Sequence, residues 1–157
     1  MLQRIEITCG DGPHAYQVTL TGENLRSVFE NACLQDKEGE ARVRAIVELG
    51  GVSKIERRKE GRYNDGPQNE PALLVFNDNG TPRAIRHFKN GELNDIANGE
   101  PAVLQYDHSG SKLVYAVHFD NGREIKKLTQ PEMDAYAARL NKAHTIRRAR
   151  TPSPPKT

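Results

Sequence analysis

Two stretches of the sequence align without a gap: GRYNDGPQNEPALLVFNDNG at residues 61–80 and GELNDIANGEPAVLQYDHSG at residues 91–110. Both contain Asn-Asp, Glu-Pro-Ala and a closing glycine at the same positions. After one inserted residue, HFKNG at 87–91 matches HFDNG at 118–122. The match predicts that one structural unit of two strands and two turns occurs twice in succession.

The two copies, which we define as residues 61–90 and 91–121, are predicted to be antiparallel hairpins. Asn-Gly dipeptides stand at 90–91 and 121–122. Such a pair between strands is a strong hairpin signal, because both central positions of a type I′ turn have positive φ. A degenerate earlier copy is predicted at residues 50–61, which read GGVSKIERRKEG.

One face of each hairpin is predicted to be buried. Alternate residues of a strand point to the same face, and a single hairpin cannot bury such a face alone. The copies are therefore expected to pair into one antiparallel sheet. The residues that alternate are apolar in both copies: Ala72, Leu74 and Phe76 in the first, and Ala102, Leu104 and Tyr106 in the second.

The spacing of these glycines, prolines and aromatic residues resembles the variant MORN repeats of bacterial proteins, over roughly residues 50–125. Proteins with such repeats include antitoxin-like chains and effectors. The resemblance implies a meandering sheet used as a binding surface, and it implies no catalytic residues. The chain has no Trp and no Tyr-x-Gly-x-Trp motif, so the lipid binding linked to ordinary MORN repeats is not expected here.

The N-terminal region is predicted to form a hairpin, a helix and a strand. RIEIT at 4–8 and AYQVTL at 15–20 alternate in polarity, as half-buried strands do. Thr21 is the predicted N-cap of a helix whose apolar residues lie at helical spacing between Leu25 and Cys33. ARVRAIVELGG at 41–51 alternates again and is predicted to be a strand.

The C-terminal region is predicted to form a helix followed by a disordered tail. Thr129 and Glu132 have the spacing of a capping box at the start of a helix. From about Thr145 onward, Arg and Pro replace the apolar residues, which favours disorder.

The sequence thus predicts an α+β fold, in which an N-terminal β-hairpin and helix precede a twisted antiparallel meander sheet of hairpin repeats. A C-terminal helix is expected to pack on the apolar face or to cap the sheet. The predicted units are an N-terminal hairpin-helix-strand unit (1–49), the MORN-like hairpins (50–128), the C-terminal helix (129–144) and a disordered basic tail (145–157).

Composition and charge indicate a cytoplasmic protein in a reducing environment. The 157 residues carry a net charge of +2. Residues 142–157 hold five of the 23 basic residues and no acid, which leaves a slightly acidic body with 18 basic and 21 acidic residues. The two cysteines lack metal-type or redox-type spacing, no apolar run is long enough to span a membrane, and the first ten residues do not resemble a signal peptide.

Catalytic chemistry is not indicated, and we expect no enzyme activity, no cofactor and no metal. His87 and His118 occupy the same repeat position, so they are interpreted as duplicated scaffold rather than as a pair of ligands or proton carriers. Asp65 and Asp95 are interpreted as turn residues. Neither a phosphate-binding loop nor a nucleophile motif occurs in the sequence.

Two functions remain open. The first is a protein-binding module that occludes an unidentified partner protein, as an antitoxin, immunity protein or phage-type inhibitor does. Its predicted contact residues differ between the copies and are expected to point outward: Arg83, Arg86, Lys112 and Val117. The alternative is a nucleic-acid-binding accessory protein that uses basic clusters to displace counterions from phosphates. Its predicted contact residues are Arg57, Arg58, Arg147, Arg148 and Arg150. Membrane binding is not expected.

Overall fold

The structure is a computed structural model that describes residues 2–33, 37–97 and 99–150, with the backbone alone for 31–33 and 141–150. The helices are α1 (Leu25–Cys33), α2 (Gly39–Leu49) and α3 (Gln130–Arg150). The strands are β1 (Leu2–Cys9), β2 (Tyr16–Glu23), β3 (Val52–Lys59), β4 (Arg62–Tyr63), β5 (Leu73–Phe76), β6 (Pro82–Arg86), β7 (Phe88–Lys89), β8 (Glu92–Leu93), β9 (Val103–Tyr106), β10 (Leu113–Asp120) and β11 (Arg123–Lys127).

Nine of these strands form one antiparallel sheet. Their order is β1-β2-β3-β5-β6-β9-β10-β11, with β4 paired to β3 beside this path. The strands β7 and β8 form a separate two-stranded ladder. Neighbours in the large sheet follow the order of the chain, which confirms the predicted α+β meander with an early helix and a C-terminal helix.

The turns between strands have the backbone that the Asn-Gly dipeptides predict. Asn90 and Gly91 have φ values of 52° and 86°, and Asn121 and Gly122 have 47° and 82°. The dipeptide Glu60-Gly61 adopts the same pair of positive φ values, 52° and 78°. The turn at the end of the predicted degenerate copy therefore has the same local geometry, although glutamate rarely adopts a positive φ.

The first helix begins later than the sequence predicts. Thr21 is not an N-cap: it lies in β2, where it pairs with Arg4 on one side and Lys54 on the other. Ser53 also donates a hydrogen bond to the Thr21 carbonyl oxygen. These partners on both sides hold the chain extended as far as Glu23, so α1 begins only at Leu25.

Residues 39–49 form a helix, and the predicted strand at 41–51 is wrong. Val43 and Ile46, one helical turn apart, are buried together with Ala45. The stretch satisfies both a period of two and a helical period, and its Ala, Arg and Glu residues favour a helix. The sheet has no free position for a strand here, because β3 pairs directly with β2.

The C-terminal helix has the predicted capping box. The Thr129 amide donates to Glu132 Oε1 at 3.2 Å, and the Glu132 amide donates to Thr129 Oγ1 at 3.4 Å. The helix does not end at residue 144, since its backbone is helical as far as Arg150. Disorder predicted for 145–150 is therefore wrong, and the Ala- and Arg-rich sequence explains the extension. The rest of the predicted tail, 151–157, lies outside the described residues.

Two core clusters lie on the same face of the sheet. The first joins β1, β2, β3 and β5 to α1 and α2, through residues such as Leu20, Ile46 and Ile55. The second joins β9 and β10 to α3, through Leu104 and Met133 among others. All three helices therefore cover one face of the sheet. This arrangement places the alternating apolar residues of both copies in the core.

We expect Leu104→Ala to destabilise the protein more than Leu74→Ala. Leu104 is 3% exposed, so its truncation leaves a cavity and costs about 2–5 kcal/mol. Leu74 is only half-buried, so its loss costs less. Urea unfolding measures both, and wild-type midpoints for the two variants would contradict the assigned register.

Candidate functional site

The face of the sheet opposite the helices is the candidate site. We call it the helix-free face, because the core clusters beneath α1, α2 and α3 contain none of its residues. Its residues lie directly opposite one another on successive strands, in two rows. One row is Glu6, Thr19, Glu56, Leu73, Arg86, Val103, Val117 and Lys127; the other is Arg4, Thr21, Lys54, Val75, Ala84, Gln105 and Tyr115.

The helix-free face is positively charged. It also includes Arg58, which pairs with Tyr63 of β4. Three carboxylates, Glu6, Glu23 and Glu56, lie on the half formed by β1, β2 and β3, and a fourth, Glu124, pairs with Phe119 at the far edge. The cations outnumber them and extend to the far edge of the sheet: Arg4, Lys54, Arg58, Arg86 and Lys127.

Glu56 is neutralised within the face. Its side chain is buried, and its Oε2 accepts hydrogen bonds from Arg58 at 2.6 Å and from the Tyr63 hydroxyl at 2.7 Å. Lys54 Nζ lies 3.3 Å from Oε1. Burial alone would raise the pKa of Glu56, but the hydrogen bonds from Tyr63 and Arg58 bring it below the ordinary value. The charge of Glu56 is thus balanced by its own neighbours, and Glu56 is not a counterion for Arg86 or Lys127 on the other half of the face.

Asp65 connects three separate groups at the end of the first copy. Its Oδ1 accepts hydrogen bonds from the backbone amides of Ala72, at 2.9 Å, and Phe88, at 3.0 Å. Its Oδ2 lies 2.7 Å from His87 Nδ1. We call this arrangement an aspartate clasp, because one carboxylate joins segments more than twenty residues apart in sequence.

The second copy contains the same clasp. Asp95 Oδ1 accepts from the amides of Ala102, at 2.7 Å, and Phe119, at 2.9 Å. Its Oδ2 lies 2.6 Å from His118 Nδ1. The interpretation of the aspartates as turn residues was incomplete, since each one also holds distant backbone. The matched geometry agrees with the interpretation of His87 and His118 as scaffold.

Arg57 occupies the position that corresponds to His87. Its amide donates to the Ala72 carbonyl at 2.7 Å, as the His87 amide donates to Ala102 at 2.8 Å. Its guanidinium binds both carboxylate oxygens of Glu40 at 2.8 Å. Burial would raise the pKa of Glu40, but hydrogen bonds from Arg57 and Tyr16 lower it overall. Arg57 thus joins α2 to the sheet.

The four predicted partner-binding residues have different environments. Arg83 is exposed, in a bulge of β6, and Lys112 is exposed just before β10. Arg86 is half-buried on the helix-free face. Val117 lies on the same face, between Val103 and Lys127 of the neighbouring strands, but is only 1% exposed. The prediction that Val117 points outward to a partner is wrong.

Of the predicted nucleic-acid residues, the two whose side chains are described are both held in ion pairs. Arg57 is 4% exposed and bound to Glu40, which contradicts its predicted phosphate contact. Arg58 is half-buried and bound to Glu56 and Tyr63. The remaining three, Arg147, Arg148 and Arg150, belong to the part of α3 of which only the backbone is described.

Two cavities next to titratable side chains show no activated nucleophile. One, of about 340 Å³, is lined by Cys9, Tyr16 and Glu40 among others. Burial, and then the charge of Glu40, raise the pKa of the Cys9 thiol, so it stays protonated at neutral pH. The other, of about 400 Å³, lies between α3 and the second copy and includes His118 and Tyr136. Burial raises the pKa of Tyr136.

No group of three metal-binding side chains occurs among the described residues. Within the same residues, no helix combines the length and the apolar character needed to cross a membrane.

Comparisons with known proteins give no relative for this chain. No protein-family model matches it, and neither the curated proteins nor the solved structures contain a significant match.

Sequence reasoning missed several residues of the helix-free face. Tyr115 and Gln105 were not singled out, and Glu40 was not recognised as the partner of Arg57. A signal for Arg57 was present, because the alignment of Gly61 with Gly91 places it over His87. Tyr115 could have been found by comparing the two copies, because the small residue Ala84 has its position in the first copy.

We expect Asp65→Ala to destabilise the protein by about 1–3 kcal/mol, because the amides of Ala72 and Phe88 lose their acceptor. Asp65→Asn keeps an acceptor oxygen for both amides, so its cost is smaller. Urea unfolding tests the pair, with the Asp95 variants as the matched series. Equal losses for Asn and Ala, or none for Ala, would show that the clasp does not stabilise the fold.

Proposed function

We propose that this protein is a non-enzymatic, cytoplasmic protein-binding module. It acts by covering a surface of a partner protein, as antitoxins, immunity proteins and phage-type inhibitors do. The observation that carries this proposal is the helix-free face, a broad surface of eight neighbouring strands on which no helix of the described residues packs.

The composition of this face supports binding rather than simple solvation. An antiparallel sheet commonly leaves one face in water, and that face is then polar. Here the half formed by β5, β6, β9 and β10 carries Leu73, Val75 and Ala84, together with the exposed Tyr115 and the half-buried Arg86. Tyr and Arg are enriched at the centres of protein interfaces.

The duplicated segments support the same conclusion. Because both aspartate clasps make equivalent contacts, they are better explained as a repeated scaffold than as one active site. We include in the proposal a relationship to the variant MORN repeats, which rests on the shared spacing of glycines, prolines and aromatic residues. That relationship favours a binding sheet without catalytic residues.

A photocrosslinking experiment tests the proposed face. The photoreactive residue p-benzoylphenylalanine replaces Tyr115, on the helix-free face, or Arg44, which is exposed on α2. We expect irradiation of the protein in its native cells to give a discrete protein adduct at position 115 and none at 44. Mass spectrometry identifies the adduct. Absence of an adduct at 115, or the same adducts at both positions, would contradict the proposal.

Nucleic-acid binding is the competing outcome. Fluorescence anisotropy with labelled duplex and single-stranded DNA, at several salt concentrations, distinguishes it, because phosphate contacts make affinity strongly salt-dependent. We expect no submicromolar binding near about 150 mM salt. Submicromolar binding that weakens steeply with salt would favour the accessory-protein alternative instead.

A further inference from the structure

Arg86 is a half-buried cation whose described partners are all neutral. Its Nη1 donates to the carbonyl oxygens of Ile85, at 3.0 Å, and Leu104, at 2.9 Å, and its Nη2 lies 3.4 Å from Gln105 Oε1. No carboxylate of the described residues lies within ion-pair distance of its guanidinium. Burial lowers the pKa of Arg86, and no acid among the described partners offsets the cost of this partial desolvation.

The arginines of β3, which β5 separates from β6, differ in this respect. Arg57 binds Glu40 and Arg58 binds Glu56, each with a short charge-assisted hydrogen bond. A buried cation is costly unless it is paired, and the two arginines of β3 follow that rule. The guanidinium of Arg86 can therefore still bind a carboxylate.

The fold itself does not require an arginine at this position. Val117 has the matching position in the second copy, and Arg86 and Val117 flank the same residue, Val103, from opposite sides. A valine is fully accommodated there, at 1% exposure. An uncharged side chain is therefore compatible with the fold at the matching position of the second copy.

Arg86 belongs to a cluster with an exposed aromatic ring and a second cation. Gln105, which contacts Arg86, pairs with Tyr115. Tyr115 is 37% exposed, and Lys127 Nζ lies 5.0 Å from its ring centroid. We call Arg86, Gln105, Tyr115 and Lys127 the Arg86–Lys127 cluster. Three of the four carboxylates of the helix-free face lie on the opposite half, and the fourth, Glu124, pairs with Phe119 on this half.

We propose that the Arg86–Lys127 cluster anchors an acidic segment of the partner protein. This proposal rests on the proposed function and names the chemistry of the partner. One carboxylate of the segment binds Arg86, where a guanidinium–carboxylate pair is strong. A second binds Lys127, and an apolar side chain between them packs on Tyr115.

The geometry sets the spacing of the acidic residues. Arg86 and Lys127 lie on strands β6 and β11, separated by β9 and β10. Three strand intervals correspond to about 14 Å, too far for one carboxylate. An extended peptide rises about 3.3 Å per residue, so acidic residues about three to five positions apart fit the two cations.

A protein segment fits this cluster better than a nucleic acid. Surfaces that bind single strands combine a continuous basic groove with several stacking aromatic rings. Here two cations and one exposed ring lie beside Leu73, Val75 and Ala84, which are half-buried. Such a mixture of apolar, aromatic and Arg side chains is typical of a protein interface.

The test uses defined peptides rather than an unidentified partner. Random 12-residue peptides are selected by display on the folded wild-type protein, and the best binder is synthesised with a fluorescent label. We expect the selected peptides to be enriched in Asp and Glu at the spacing above. Replacing those residues by Asn and Gln in the peptide should abolish binding.

Variants of the protein locate the interaction. Arg86→Val, which the chain itself tolerates in Val117, should weaken the peptide by about tenfold or more, because a charged hydrogen bond is lost. Lys127→Gln should weaken it severalfold. Arg26→Gln is the matched control, since it removes one exposed positive charge from α1, on the other side of the sheet, and should change affinity less than about twofold. Circular dichroism and urea midpoints check that each variant is folded.

Several outcomes would overturn the acidic anchor: no selected peptide, peptides without acidic enrichment, an unchanged affinity in Arg86→Val, or an equal loss in Arg26→Gln. The proposed function has a separate outcome. A native protein captured at position 115 and unaffected by Arg86→Val would refute the anchor and leave the binding face intact. Absence of any adduct at 115 would refute the binding face.

Discussion

The carboxylates of Asp65 and Asp95 impose the constraint on which the rest of the structure depends. Each one holds two backbone amides and a histidine ring from two segments that are far apart in the chain. A slip of one residue in a strand would move its side chains to the opposite face. By holding the ends of the strands in place, the clasps keep apolar residues under the helices and the charged rows together on the other face.

Because the helices cover only one face of the sheet, the side chains of the other face are the ones available for contact with another molecule. The helices α1, α2 and α3 bury one face, and the core near α2 is tied to the sheet by the Arg57–Glu40 pair. The other face pairs Glu56 with Lys54 and Arg58 but leaves Arg86 with neutral partners. Such an unpaired, half-buried arginine beside an exposed tyrosine is a feature expected of a binding surface rather than of a solvated sheet.

Much of this fold could be predicted from the internal match of the sequence, because turns and alternating strands depend on local residues. The Asn-Gly turns, the meander and the burial of Leu104 follow from it. The strand predicted at 41–51 was wrong because that stretch fits both periodicities, and only the pairing of β2 with β3 decides between them. Arg57 and Val117 were wrongly expected at the surface, because a sequence does not reveal which distant residues pack around a side chain. The two aspartate clasps were not predicted, because the residues that form each clasp lie far apart in the chain.

The most direct measurement is native-state hydrogen exchange of the four amides held by the aspartates, in Ala72, Phe88, Ala102 and Phe119. They lie at or beyond the ends of the regular strands, where amides ordinarily exchange through local fraying. We expect them to exchange only through global unfolding, with the same free energy as the core amides of β9 and β10. Exchange at a much lower free energy, like that of surface loops, would show that the clasps do not hold the sheet together.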